Sequence, residues 1–399
     1  VETGTPGPWS GHIPGTPGYR RLLLGLFLAG VATFAQLYSP QGLLPLISGD
    51  LGITASDAAL MVSLATLGLA IGVIPWSYAG DRFGRKWVMG WAIMAACAFS
   101  LVAVAVPDLE AILVFRLLEG FALGGVPALA LAYLNEEVSA ASSALAAGTY
   151  ISGTTLGGLA GRLLAAPIGE LTDWRLGMLA VTVLSVACAI AFLLLAPAAR
   201  GFTPHRTTFR QAVRALAGNL RSPALLIIYA QGFLLMGGFV AMYNYLGFHL
   251  AGDPFNLPIG VVSLVFVAYL AGTWTSPLAG RLAGRHGRRP VLLVSTAAMI
   301  AGVLLTLVPS LWVVLPATII FTGGFFAAHA VASGWAGAAA VAGRAQSVSL
   351  YNFGYYAGSS LFGWLGGVFL AGAGWLGTVL MTAALAAVAA ILGWFMRSR

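Results

Sequence analysis

Arg116 and Glu119 stand three residues apart within an apolar run over roughly 110–133. On a helix that spacing puts both side chains on one face. Glu119 is the only acid well inside any of the long apolar runs of this chain. Charge at such depth is costly and faces a partner or a water-filled cavity. Burial opposes the charged carboxylate and the neighbouring guanidinium favours it. The pair therefore reads either as a site that takes up and releases a proton or as a static ion pair orienting its helix. His329, also deep in an apolar run, can titrate near neutral pH, bond a solute, or simply pack. Arg162, next to Gly161, can receive an anionic group or pair with Glu119 or Glu170.

A second group is polar and aromatic. Gln36, Tyr38 and Gln41 lie in the first run, Tyr243, Asn244 and Tyr245 in the seventh, and Tyr351, Asn352, Tyr355 and Tyr356 in the eleventh. A tyrosine offers an apolar ring and a hydrogen-bonding tip, which suits amphipathic solutes. Catalytic chemistry is poorly served. Ser152 and His329 have no aspartate placed to orient a base. The two cysteines, Cys97 and Cys188, show neither disulfide nor metal spacing, and there is no phosphate-binding glycine loop. Neither an enzyme nor a bound metal or cofactor is expected.

The elements that carry these residues are twelve apolar runs. They fall at about 22–49, 56–80, 87–106, 110–133, 143–168 and 175–196, then at 223–249, 258–281, 288–308, 311–337, 346–371 and 374–396. Some twenty apolar residues suffice to span a bilayer. Composition agrees: the chain is 59% hydrophobic and 8% charged, where a soluble protein carries about 25% charged residues. Lipid must be the solvent for most of the surface. The 52 glycines suit close helix packing, and unbroken apolar runs argue against a barrel, whose strands alternate. The prediction is an all-α membrane protein.

Between the sixth and seventh runs lies the one long polar interval, 197–222. It predicts a linker with a short basic amphipathic helix near 207–217, lying on the membrane surface. The chain divides accordingly into a flexible Gly/Pro-rich tail over 1–18, which does not read as a signal peptide, a six-helix bundle over 19–196, the linker, and a six-helix bundle over 223–399. Threading twelve spans puts both termini on one side, together with 17 of the 20 lysines and arginines. The positive-inside rule makes that side cytoplasmic. Net charge is +8, which this asymmetry explains without nucleic acid. Some tyrosines, Tyr38 above all, are candidates for the aromatic belt at the membrane interface.

The halves repeat. Asp81-Arg82-Phe83-Gly84-Arg85-Lys86 follows the second run, and Gly284-Arg285-His286-Gly287-Arg288-Arg289 follows the eighth, 203 positions later. Asp173-Trp174 is matched by Gly374-Trp375, and the glycines of 153–158 by those of 358–363. Paired repeats of this kind place a central site between the bundles. These loops on a six-plus-six frame resemble the major facilitator superfamily over nearly the whole chain. More narrowly the chain is similar to the drug:proton antiporters and their bacterial YnfM-like branch, through Tyr133-Leu134-Asn135-Glu136-Glu137, Tyr150-Ile151-Ser152-Gly153, Asn244-Tyr245-Leu246-Gly247 and Phe325-Phe326-Ala327-Ala328-His329.

The resemblance implies alternating access: proton-coupled efflux of a small amphipathic organic solute or drug, with proton-coupled uptake by symport as the alternative. It implies a monomer in the bacterial inner membrane, with lipids, protons and a small-molecule substrate as its partners, no nucleic acid, and the proton gradient as energy source. Asp81 with Arg82, Gly84 and Arg85 would form a cytoplasmic gate, in which the acid pairs with the basic residue and a neighbouring helix in the outward-open state. Gly284 replaces that acid in the second copy. An arginine at the place of Arg116 is linked to proton coupling in the family, and Glu119 and His329, read from their own positions, would carry the proton with it. Gln36, Tyr38, Gln41, Arg162, Tyr243, Asn244, Tyr351, Asn352 and Tyr355 would line the substrate cavity. The fifth-run glycines match the antiporter motif only in part, since Thr154 stands where proline is expected.

Overall fold

The computed structural model describes residues 9, 11–139, 142–202, 217–340 and 343–396. The linker helix expected near 207–217 lies, all but its last residue, outside the described residues. Twelve long helices make up the described chain: α1 Pro17–Tyr38, α2 Ala55–Phe83, α3 Arg85–Ala105, α4 Leu109–Glu137, α5 Ser143–Leu171, α6 Trp174–Leu195, α7 Pro223–Ala251, α8 Ile259–His286, α9 Arg288–Leu305, α10 Leu311–Ala339, and α11 and α12, which share Arg344–Trp394. That last stretch of 51 residues breaks at Ala373 and Gly374, where φ is +61° at the glycine. Gln231 of α7 bonds Ala389 of α12, and the neighbouring Gly232 abuts Tyr351 at the start of α11, so the chain doubles back between them.

The first apolar run does not stay helical to its end. Pro40 has no N–H to give to the carbonyl of Gln36. That carbonyl accepts instead from the backbone N–H and the hydroxyl of Ser39. A 3-10 turn, Ser39–Gly42, and a short helix, Leu44–Leu51, follow. The turn is what carries Gln41 off the axis of α1. The tail also differs from expectation in its described part. His12 donates its N–H to Glu137 O at 2.7 Å, Ser139 donates to His12 O at 3.1 Å, and Thr16 caps α1. This segment is docked on the end of α4.

The two halves are built alike. The loops after α2 and α8 each turn on one glycine, Gly84 at φ +91° and Gly287 at φ +88°, a conformation that other residues rarely adopt. Helices α1 and α5 meet backbone to backbone: side chains at Gly153, Gly157 or Gly161 would strike Phe27, Val31 and Ala35. In the second half Gly358 of α11 meets Phe233 of α7 in the same way. Such contacts are how helices associate where lipid provides no hydrophobic drive.

The halves join at the face away from the termini. Ser56 and Ser63 of α2 abut Gly367 and Gly363 of α11, and Pro167 of α5 abuts Gly260 of α8. One apolar core runs continuously through both halves, whereas a second, around Leu22, Val88, Leu129, Tyr133 and Phe192, belongs to the first half alone. Ile74 and Tyr78 continue the Ser56–Ser63 face of α2 toward the basic loops, and there they are 61% and 69% exposed. The face that packs on the second half at one end is uncovered at the other. The molecule is therefore closed on the far side and open toward the side that carries the termini.

Candidate functional site

Arg116 and Glu119 are both fully buried and form an ion pair at 2.6 Å. The guanidinium also donates to Met61 O of α2 at 2.9 Å and to Leu37 O of α1 at 2.9 Å. It thereby ties α4 to both neighbours. Only one carboxylate oxygen is satisfied, and Oε1 of Glu119 has no hydrogen-bond partner. Gln36, beside Glu119, donates to Thr182 Oγ1 of α6 at 3.1 Å. Thr182 Oγ1 accepts from Gln36 and itself lies 3.0 Å from both Met178 O and Ser100 Oγ. Gln36 Oε1 is then left without a donor as well. Two buried oxygens lack a proton that a neutral carboxyl would supply to one of them.

A second buried arginine sits where the halves meet. Arg162 of α5, 1% exposed, donates from Nε to Gln41 Oε1 at 2.8 Å, from Nη1 to Gly158 O at 2.6 Å and from Nη2 to Gln41 Oε1 and to Tyr269 OH. Its guanidinium lies 4.4 Å from the ring centre of Tyr38, 4.7 Å from Phe266 and 4.8 Å from Tyr269. The expected pairing with Glu119 or Glu170 is not what occurs. Glu119 is taken by Arg116, and Glu170 instead accepts from the backbone N–H groups of Ile259 and Gly260, both at 2.8 Å, at the start of α8. Arg162 is thus a buried cation without a carboxylate among the described residues. Tyr38 is 7% exposed and lies under that cation, which removes it from any interfacial belt.

Gln41 passes the connection on. It donates to Asn244 Oδ1 of α7 at 2.6 Å, and Asn244 donates to Gly363 O of α11 at 3.2 Å. Gln41 and Asn244 are 203 positions apart, the offset of the loop repeat. They are the same position in the two halves, meeting at the pseudo-twofold axis.

His329 of α10 belongs to a separate cluster. Its Nδ1 is 2.9 Å from Tyr351 OH, and its ring lies 4.8 Å from Tyr355 and 5.8 Å from Phe325. Tyr243 meets Thr322 Oγ1 at 2.6 Å and stacks with Phe266. A continuous aromatic wall runs from Tyr269 through Tyr243, Phe239 and Phe325 to His329 and Tyr355, and Tyr38 joins it through the Arg162 guanidinium. Asn352 does not join it and is exposed.

In the loop after α2, Arg85 bridges Asp81 at 2.6 Å and Glu136 of α4 at 2.8 Å. Both acids belong to the first half. Arg82 lies apart, over the ring of Phe83 at 5.4 Å. On the far face, Asp50 accepts from Trp174 Nε1 at 2.8 Å and Arg175 Nη1 at 3.0 Å. Those bonds hold its carboxyl below the usual range.

Sequence reasoning missed Tyr269, Phe266, Thr182 and the pairing role of Glu136. Tyr269 and Phe266 carry a legible signal: three residues apart, they share a face of α8. Thr182 carries none, being one of two hydroxyl residues, with Ser185, in an apolar helix. Ser152 is exposed and bonds Gly148 O of its own helix at 2.9 Å.

A family model described as Major Facilitator Superfamily matches residues 23–273 and 250–399. The inner membrane transport protein YnfM of Escherichia coli is 40% identical over 381 residues, covering 95% of this chain and 91% of that protein. A chloramphenicol resistance protein of Streptomyces lividans is 28% identical over 286 residues, covering 69% of this chain and 72% of that protein. Among solved structures, an inward-facing and occupied bacterial homolog of the human lysosomal transporter Spinster superposes with a TM-score of 0.79 at 15% identity, covering 96% of this chain and 97% of that one.

Proposed function

The chain belongs to the Major Facilitator Superfamily, as a secondary transporter of the YnfM-like branch, and from that premise we propose that it exports a small amphipathic organic solute in exchange for protons. The observation that carries the coupling is the unpartnered Oε1 of Glu119, fully buried beside Arg116. A proton on that oxygen neutralises the carboxyl and supplies the donor that its surroundings lack. Its loss restores the ion pair with Arg116, which holds α1, α2 and α4 together. Proton occupancy therefore acts directly on the packing of three helices.

The solute lies between the halves, its apolar body against Tyr38, Tyr243, Tyr355 and Phe325. Polar groups meet Gln41, Asn244 and Arg162, and an anionic group finds in Arg162 a cation with no carboxylate of its own. The termini and basic loops lie in the cytoplasm, by the distribution of lysine and arginine. The open side is then the cytoplasmic one, where an exporter loads. The membrane is the bacterial inner membrane, the protein is a monomer, and the proton gradient is its energy source. Asp81 and Arg85 close the cytoplasmic side in the opposite state. The resistance named for the Streptomyces lividans relative supports export.

The test is reconstitution in vesicles with an imposed pH gradient and a panel of labelled aromatic and amphipathic solutes. Exchange predicts that solute accumulates in vesicles with an acidic lumen, and Glu119→Gln is expected to abolish the dependence on the gradient. Accumulation only in vesicles with an alkaline lumen would establish uptake by symport instead. Flux indifferent to the gradient would refute coupling.

A further inference from the structure

The loop between α8 and α9 keeps the cations of its first-half counterpart and loses every acid. At the repeat offset of 203, Arg82, Arg85 and Lys86 correspond to Arg285, Arg288 and Arg289 and Asp81 to Gly284; with α4 and α10 aligned on their first residues, Glu136 corresponds to Ala338. In the first half, Asp81 and Glu136 neutralise Arg85. Among the described residues, no carboxylate lies within ion-pair distance of Arg285, Arg288 or Arg289.

Beside that loop runs an apolar groove of about 660 Å³ between α8, α9 and α10, with His286 and Pro290 at its loop end. It opens on the lipid-facing surface, where Val294 is 70% and Ile319 51% exposed. Its origin is visible in the repeat. Eight residues before the loop glycine stands Trp76 in the first half and Ala279 in the second. Twelve residues after the first residue of α4 comes Phe121, and twelve after the first residue of α10 comes Gly323. The rings of Trp76 and Phe121 lie 6.3 Å apart and fill the first half. Ala279 and Gly323 line the groove.

We propose that this groove is a specific site for an anionic phospholipid. Its acyl chain lies between α8, α9 and α10, and its phosphate meets Arg285 in the last turn of α8 and Arg288 and Arg289 in the first turn of α9, where the Arg289 guanidinium lies 4.5 Å from the ring centre of Trp394. Apolar walls alone would accept any lipid tail. The missing acids turn this groove into a selective one, because basic side chains at a membrane surface attract anionic headgroups, and the free N–H groups of a helix start add to that attraction. The site stands independently of solute or direction of transport.

The test uses full-length, delipidated protein in neutral detergent, titrated with phosphatidylglycerol or with phosphatidylcholine of the same chains. Bound lipid is counted by native mass spectrometry and Tm is recorded. Phosphatidylglycerol is expected to bind at least about tenfold more tightly and to raise Tm, whereas inorganic phosphate and glycerophosphoglycerol leave Tm unchanged. The double variant R288Q/R289Q should reduce phosphatidylglycerol to the level of phosphatidylcholine. Ala279→Trp, which restores the first-half indole, should lower the retention of both lipids, and Arg20→Gln should alter neither. Equal binding of the two lipids by the unmodified protein, or a Tm rise from inorganic phosphate alone as large as that from phosphatidylglycerol, would overturn the proposal. So would an anionic preference that survives R288Q/R289Q. Should that variant not fold, the lipid comparison on the unmodified protein and the response of Ala279→Trp decide the matter.

Discussion

Arg116 and Arg162 are both buried guanidinium groups, and their acids set them apart. Arg116 has Glu119 at 2.6 Å, whereas Arg162 has amide, carbonyl and phenol oxygens only. Removing one partner of a buried ion pair leaves an uncompensated charge and costs about 3–5 kcal/mol. Arg116→Gln also removes the donors to Met61 O and Leu37 O that tie α4 to α2 and α1 and should lower Tm markedly, while Glu119→Gln, whose amide oxygen still accepts from Arg116, should lower it less and act on coupling. Differential scanning fluorimetry of both variants checks the order. Arg162→Gln leaves Gln41 Oε1 without its donor, a loss of about 1–3 kcal/mol, and its larger effect is expected on solute recognition, read as a rise in KM. Asp50 adds a pH dependence. The bonds from Trp174 and Arg175 depress its carboxyl, so their stabilisation is present above the ordinary aspartate range and is lost as pH falls through the lowered value. Trp174 fluorescence should respond to acid in the unmodified protein and not in Asp50→Asn. Glu119 was legible because one acid among twelve apolar runs stands out. The partners of Arg162 were not, since Gln41 and Tyr269 lie 121 and 107 positions away and no spacing rule reaches that far.

At the level of elements, most of the helices follow from hydropathy, and the departures have local causes. Pro40 ended α1 early and put Gln41 on a turn aimed at α7. Pro17 and Thr16 started α1 before the apolar run begins, because an N-cap and a proline at the first turn need no apolar side chain. The paired loop glycines were visible as a repeat, and their positive φ explains why the repeat keeps glycine there. Gly84→Ala and Gly287→Ala should each cost about 1 kcal/mol or more, the penalty of placing a Cβ in that region, measurable as a drop in Tm with the helix content unchanged. In Gly84→Ala the misplaced Arg85 should also weaken the bridge to Glu136.

For the whole molecule, the repeat predicted a site between two bundles, and Gln41 meeting Asn244 places the axis through that site. Which end is open could not be read from composition, because it depends on which neighbours each end of α2 meets. The far end is shut by α2 on α11 and by α5 on α8, and transport by alternating access requires those contacts to part. Pro167→Cys with Gly260→Cys tests that requirement most directly. A Cβ at position 260 lies 3.6 Å from Cβ of residue 167, within disulfide range, and neither residue touches the proposed solute or proton sites. In a background with Cys97 and Cys188 replaced by alanine, oxidation of the pair should stop flux in reconstituted vesicles, and reduction should restore it. Undiminished flux with the cross-link formed would contradict alternating access about this site.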